Sequence, residues 1–326
     1  AGIHVDYIIN EPTAAALYYA FHTGSNLNGH YAVFDMGGGT FDISIMKVNG
    51  QDIDVIRTNG ISKLGGDDFD NALLSLVAEK SKNEFNHEIT SYDYALCDAE
   101  NDKISLSKRE NVRISLRSIR KTFDISRIDF EESISGLLVQ AQMACEAVLS
   151  ESNLDVNDIK SVFLVGGSTR MPCIKNLVNN IFKQEPISSI NVDEVVALGA
   201  SLYSAYKGDQ SKLNPIQRGT IGSIEVGEST GKYFGTTIIE NGPTGDYKKV
   251  NDIIIKKGEK IPCTISKTYY TMHENQSSVK CDVTESSSSE RDPNFVKVIW
   301  EGDLPLPPNR PAGQEIRVSF SYDENQ

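Results

Sequence analysis

The sequence predicts an α/β layered domain followed by an all-β sandwich. Three observations carry this. Apolar strand-like runs alternate with segments of helical period up to residue 206. Beyond residue 222 no long helical period returns. That tail breaks instead into short β-rich runs, IIIKKGEKIP, TISKTYYTM, VKCDV, VKVIW and EIRVSFSY, parted by Gly, Pro, Ser and Asn turns. Between the two parts, KGDQSKLNPIQRGTIG is polar and contains Pro215 and several glycines, the composition of a linker. The expected organisation is a domain over 1–206, a linker over 207–222 and a β-domain over 223–326.

The chain opens without Met on an apolar stretch, Val5 to Ile9, that reads as a strand entered in mid-course, so a fragment of a longer protein is expected. Val33 to Met36 and Phe41 to Lys47 flank a glycine cluster. A polar turn at Asn49-Gly50 then leads to the alternating Ile53, Val55 and Arg57, which together predict an antiparallel meander. LGGDDFD sets a glycine turn at Gly65 and Gly66 before a helix, with Asp67 as its expected N-cap. Phe130, Ile134, Leu137, Leu138, Ala141, Cys145 and Val148 recur at three- and four-residue spacing, the apolar face of one long helix. Four consecutive serines mark Glu285 to Pro293 as a mobile loop.

Composition narrows the function. A net charge of 32 − 45 = −13 argues against nucleic acid as the main partner, although a nucleotide phosphate can still bind locally. Five cysteines, an odd number without a CxxC pair, fit neither a disulfide framework nor a zinc knuckle and predict reduced thiols in the cytoplasm. The five histidines form no metal spacing. No apolar run approaches the roughly 20 residues that a membrane span requires, so no membrane partner is expected.

The chemistry concentrates at glycine turns. In YAVFDMGGGTFDISI an apolar strand ends in Asp35, and Gly37, Gly38 and Gly39 let backbone N–H groups approach phosphate oxygens without a Cβ between them. Thr40 adds a hydroxyl. Asp35 and Asp42 can hold Mg²⁺ through water, because Mg²⁺ sheds its hydration reluctantly. A tight hairpin carrying two solvated acids would give the same pattern. In SVFLVGGSTRMP a second strand ends at Gly166 and Gly167 ahead of a helix, whose N-terminus can receive an anion. Two such turns predict a nucleotide held in a cleft between them, with Gly66 as a third contact.

IINEPTAAAL, VFDMGGGTFD, LGGDDFD and FLVGGSTRMP stand in the order and approximate spacing of the seventy-kilodalton heat-shock (DnaK-type) chaperones, and the chain resembles that family along nearly its whole length. The resemblance implies an actin-like ATPase lobe, part of a nucleotide-binding domain, followed by an all-β substrate-binding sandwich. It implies ATP/ADP and Mg as ligands, with Glu11, Asp35 and Thr40 around the γ-phosphate and its attacking water. Glu100, Lys103 and Ser107 of AENDKISLSK would flank the adenosine, and Gly166, Gly167, Ser168, Arg170 and Asp193 would form the other wall. Tyr269, Met272 and Val279 would line the pocket for an extended, unfolded polypeptide. Co-chaperones of the J-domain and nucleotide-exchange kinds are implied partners.

The sequence also departs from the family pattern. Ile104 replaces a basic residue that stacks on adenine, Val192 replaces a proline, and the linker lacks a leucine run ending in an acid. The family's first-lobe phosphate loop and catalytic lysine have no counterpart, so the chain alone is expected to be inactive although its parent is an ATPase. The competing expectations are a non-enzymatic relative acting as a protein-interaction module, and a small-molecule kinase of actin-like fold. INEPTAAA and the β-rich tail speak against the kinase.

Overall fold

The computed structural model describes residues 2, 5, 7–22, 27–50, 52–188, 191–212, 214, 225–241 and 247–323. They fall into two compact units, Ile9–Val226 and Gly227–Gln326, the latter together with the first eight residues. Val5 and Tyr7–Ile9 carry no strand, contrary to the expectation for that stretch. Flanking apolar residues alone do not make a strand where no partner strand pairs.

The first unit contains α1 (Glu11–His22), β1 (Asn28–Met36), β2 (Phe41–Asn49), β3 (Asp52–Ile61), α2 (Gly66–Phe85), α3 (Leu96–Leu106), β4 (Asn111–Leu116) and β5 (Lys121–Ser126). It continues through α4 (Arg127–Ser133), α5 (Ser135–Glu151), β6 (Ile159–Val165), α6 (Pro172–Phe182) and α7 (Val195–Lys207). β1, β2 and β3 form the expected antiparallel meander, and β6 joins β1 in parallel, giving the order β3-β2-β1-β6.

Both faces of this sheet are covered, which explains why β1 is apolar without alternation from Tyr31 to Phe34. Its alternate residues Ala32, Phe34 and Met36 join one core with residues of α2, α5 and α6, while Tyr31 and Val33 join a second core with α1 and α7. On the second face Tyr19 stacks on Phe163 at 4.1 Å between ring centroids, and its hydroxyl donates to Leu164 O at 3.1 Å. α1 and α7 approach so closely that a Cβ on Gly199 would strike the backbone of Ala14. The small residues of EPTAAAL and ALGAS are therefore a packing requirement.

Two helix expectations are corrected by the structure. The predicted long helix is two, because Ile134 leaves helical geometry (φ −100°, ψ 3°) between α4 and α5. Its apolar spacing survives the break, since Phe130, Ile134, Ala141, Cys145 and Val148 are all buried. The N-cap of α2 is Gly65 rather than Asp67, and Asp68 supplies the carboxylate that accepts the Gly65 N–H at 2.9 Å. Two adjacent acids made the register ambiguous in sequence.

α7 extends to Lys207 and Gln210–Lys212 forms a single 3₁₀ turn. The rest of the expected linker, residue 213 and residues 215–222, lies outside the described residues.

After β7 (Glu225–Ser229), which runs across the boundary at Val226, strands build the second unit: β8 (Tyr233–Asn241), β9 (Tyr247–Ile255), β10 (Lys260–Ile261), β11 (Cys263–Tyr270), β12 (Ser278–Ser286), β13 (Lys297–Pro305) and β14 (Glu315–Tyr322). One sheet has the order β13-β12-β8-β9, and β11 pairs with β14 in another. The segment expected to be a mobile loop starts inside β12 and is latched to β9. The Asn251 N–H donates to Arg291 O at 2.7 Å, and its side-chain amide donates to Glu290 O at 2.8 Å. All five cysteines are free thiols. Among the described residues no helix is long and apolar enough to cross a membrane.

Candidate functional site

The first site is assembled on the turn between β1 and β2. Gly37 closes it by donating its N–H to Thr40 O at 3.1 Å. The start of α2 docks on the same turn, with the Gly66 N–H on Gly37 O at 2.9 Å and the Asp67 N–H on Gly38 O at 2.7 Å. From the end of β6, Ser168 Oγ donates to Gly37 O at 2.9 Å. Three glycine turns far apart in sequence thus interlock around one short backbone segment.

The glycines divide by their reasons. A Cβ on Gly65 would lie 2.4 Å from Gly38 O, and one on Gly166, whose φ is +85°, would lie 2.4 Å from Met36 O, so packing demands glycine at both. Gly37 and Gly39 are different, because a Cβ there meets nothing within 4 Å. Bare backbone facing open space at a strand end is what a bulky anion needs from its cradle.

Around this turn opens a cavity of about 480 Å³. Of the residues predicted from sequence, Gly37, Gly38, Gly66, Glu100, Lys103, Ser107, Gly167, Ser168, Arg170 and Asp193 line it. Gly39, Thr40, Gly166, Glu11, Asp35 and Asp42 do not, and Gly39 and Thr40 are exposed at the turn itself. The sequence motifs did not reveal Asp67, Asp70, Lys108 and Met171 as lining residues. Asp70 was findable in principle, as an acid of LGGDDFD four residues into α2, yet only the fold shows its partner. Lys103 Nζ lies 2.8 Å from the Asp70 carboxylate and donates to Gly66 O at 2.9 Å, so it ties α3 to the start of α2. Arg170 pairs with Asp193 at 2.6 Å across the opposite wall. Ile104, exposed, lines the cavity where a cation was expected from the resemblance.

Behind the turn, Asp35 and Asp42 stand directly opposite each other in the β1–β2 register. Like charges so placed destabilise a sheet. Burial pushes the Asp35 carboxyl up to about 7, with Glu11 and then Asp42 adding to the rise. Asp42 is raised as well, by burial first and Glu11 second. Among the described residues no three His, Cys, Asp or Glu side chains come together to ligate a metal directly. A carboxylate pair with no cation paired to it among the described residues fits a hydrated Mg²⁺ held through water.

The second site is a cleft of about 460 Å³ within the β-unit, and Tyr269, Met272 and Val279 all line it. β12 pairs with β8 over Thr284–Ser286 and Tyr233–Gly235. Farther along, the Asp282 carboxylate accepts the Thr237 N–H at 2.6 Å and the Thr236 hydroxyl at 3.0 Å in place of a backbone ladder. The strands part, and the cleft lies between residues 236–239 and 279–282. Tyr269 is held from behind, its hydroxyl donating to Asp252 Oδ2 at 2.9 Å, and burial followed by that carboxylate raises its pKa. The β8 wall was not legible in the sequence, because the polar region before residue 250 offers no motif to align.

Comparison with known proteins gives one answer. The family model described as Hsp70 protein matches residues 1–230. The chain is 34% identical over 339 residues to a protein named Chaperone protein DnaK from Metamycoplasma hominis, covering all of this chain and 53% of that protein. It is 33% identical over 340 residues to a mitochondrial heat shock 70 kDa protein of Pisum sativum, with all of this chain and 47% of that protein aligned. A protein named HscA from Buchnera aphidicola is 30% identical over 337 residues, with 60% of its length aligned. The chain spans about half the length of the curated relatives it matches.

Proposed function

The chain belongs to the Hsp70 protein family, and from that premise we propose that it carries the nucleotide-contacting wall and the peptide cleft of an ATP-dependent molecular chaperone. The observation that carries the proposal is Gly37, a glycine that packing does not require, on the wall of a cavity where three turns converge, with Gly39 equally open on the same turn. On this reading the first unit is an actin-like ATPase lobe and the second a substrate-binding sandwich.

The backbone of Gly37–Gly39 and the Thr40 hydroxyl receive the phosphates, and Glu100, Ser107 and Asp193 take the nucleoside. Lys103, neutralised by Asp70, acts mainly as a fixed donor and spacer. Bound Mg²⁺ supplies the positive charge that lets phosphates and carboxylates share one site. Asp35 and Asp42 would hold its hydration shell, and Glu11, Asp35 and Thr40 would orient the attacking water. Phosphoryl transfer depends chiefly on such positioning and charge neutralisation.

In the β-unit, the parted edges of β8 and β12 offer unpaired backbone to an extended polypeptide, the usual way a peptide adds to a sheet. Tyr269, Met272 and Val279 receive its side chain, Met272 adapting to different shapes. The reading includes J-domain and nucleotide-exchange partners and a cytoplasmic setting, with no nucleic acid or membrane partner.

The test is fluorescence anisotropy of a labelled, extended apolar peptide added to the protein with and without Mg·ATP. The proposal expects binding that Val279→Asp abolishes and that ATP weakens. A folded protein that holds neither peptide nor nucleotide would overturn it.

A further inference from the structure

The four serines that begin at the end of β12, Ser286 to Ser289, belong to neither site. Ser287, Ser288 and Ser289 are exposed, and an acid stands three residues after two of them, Glu290 after Ser287 and Asp292 after Ser289. Kinases with a basic substrate groove choose serines by such acids, since charge pattern is a main element of kinase specificity. The hydroxyls of Ser287 and Ser289 make no hydrogen bond to the described residues, so both are free to react.

Immediately after the serines the chain forms a small latch. Arg291 pairs with Glu240 on β8 at 2.6 Å, both side chains being half exposed. Glu290 Oε1 accepts the N–H groups of Arg291 and Asp292, each at 2.8 Å. Asn251, buried on β9, holds the backbone of Glu290 and Arg291, and its side-chain oxygen accepts the Thr284 hydroxyl at 2.5 Å. β8 carries both Glu240 and the wall of the cleft.

We infer that Ser289, with Ser287 as a second acceptor, is a phosphorylation site for an acid-directed serine/threonine kinase, and that the phosphate opens this latch. The γ-phosphorus of a nucleoside triphosphate, delivered by the kinase, bonds to the serine Oγ. Its bond to the β–γ bridging oxygen breaks, the diphosphate departs with that electron pair, and the hydroxyl proton passes to the kinase's base. The product carries about −1.5 to −2 charges two residues from Arg291. It competes with Glu240 for the guanidinium and repels the Glu290 carboxylate that caps two backbone N–H groups. A half-exposed ion pair contributes at most about 1 kcal/mol, so little is needed to redirect it. The consequence for peptide affinity rests on the cleft being a peptide site; the latch itself does not.

The experiment treats the intact protein with an acid-directed kinase and Mg·ATP, maps phosphate by mass spectrometry, and follows hydrogen exchange of the Asn251, Arg291 and Asp292 amides. Phosphate is expected on Ser289 or Ser287, absent from the S287A/S289A protein, with exchange at those amides faster by up to about fivefold. Arg291→Ala should speed the same amides without phosphate, and phosphate should add little to it. If the free segment is phosphorylated but the folded protein is not, the site is wrong. If phosphate is incorporated and exchange does not change, the latch is wrong, whatever peptide binding shows.

Discussion

At the scale of single residues, the acid pair behind the first glycine turn is the feature that stability alone would not keep. The Asp35 carboxyl, pushed up to about 7, binds a proton more tightly in the folded state than in the unfolded chain. A raised carboxyl pKa means that stability is full below the unfolded value of about 4 and declines as pH rises through 7. Asp35→Asn keeps the size, removes the charge, and relieves the crowding with Asp42 and Glu11. It should leave the melting temperature at pH 4 nearly unchanged and raise stability at pH 8 by up to about 4 kcal/mol, seen in thermal melts across pH. A variant less stable than wild type at pH 8 would mean that a donor within the fold already satisfies Asp35. Asp35, Asp42 and the glycines were legible in the sequence because a strand ending in acid and glycine is a local pattern. That the two acids face each other follows from the register, which local pattern implied once the meander was recognised.

Elements show where legibility stops. Periodicity located the apolar faces of α4 and α5 but not the break at Ile134, because the spacing of buried residues runs through it unchanged. Glycine and acid together announced the start of α2, but the choice of Asp68 over Asp67 depends on which carboxylate reaches Gly65. The serine-rich loop looked mobile because its own residues are small and polar, whereas its restraint comes from Asn251 on another strand. The link between α2 and α3 was invisible for the same reason. Lys103 has the sequence context of a ligand contact, and its pairing with Asp70 makes it a structural member as well. Lys103→Met leaves a mostly buried carboxylate unpaired and should destabilise the protein by about 3 kcal/mol. Asp70→Leu with Lys103→Met should recover much of that loss, giving a clear coupling energy in urea unfolding. Additive effects would show that the pair does not join the helices.

At the scale of the whole molecule, the sequence yielded the order of the α/β and β-rich parts from changes of period, and the site walls from motifs. It did not yield the β8 side of the cleft, which is made by strands parting around Asp282. Nor did it distinguish glycines kept for packing from glycines kept for a ligand, since that distinction lies in what surrounds a missing Cβ. Gly65 and Gly166 belong to the first kind, while Gly37 and Gly39, where a Cβ would meet nothing within 4 Å, are the candidates for the second. The claim that the first unit cradles a nucleotide therefore turns on a substitution the fold should tolerate and the ligand should not. The most direct measurement is titration calorimetry of Mg·ADP into wild-type and Gly39→Ala protein, with thermal melts of both without ligand. The expected result is an unchanged or slightly raised melting temperature for Gly39→Ala, and nucleotide binding weakened at least about tenfold by loss of close backbone contact. Equal binding by the two proteins, or no binding by folded wild type, would contradict it.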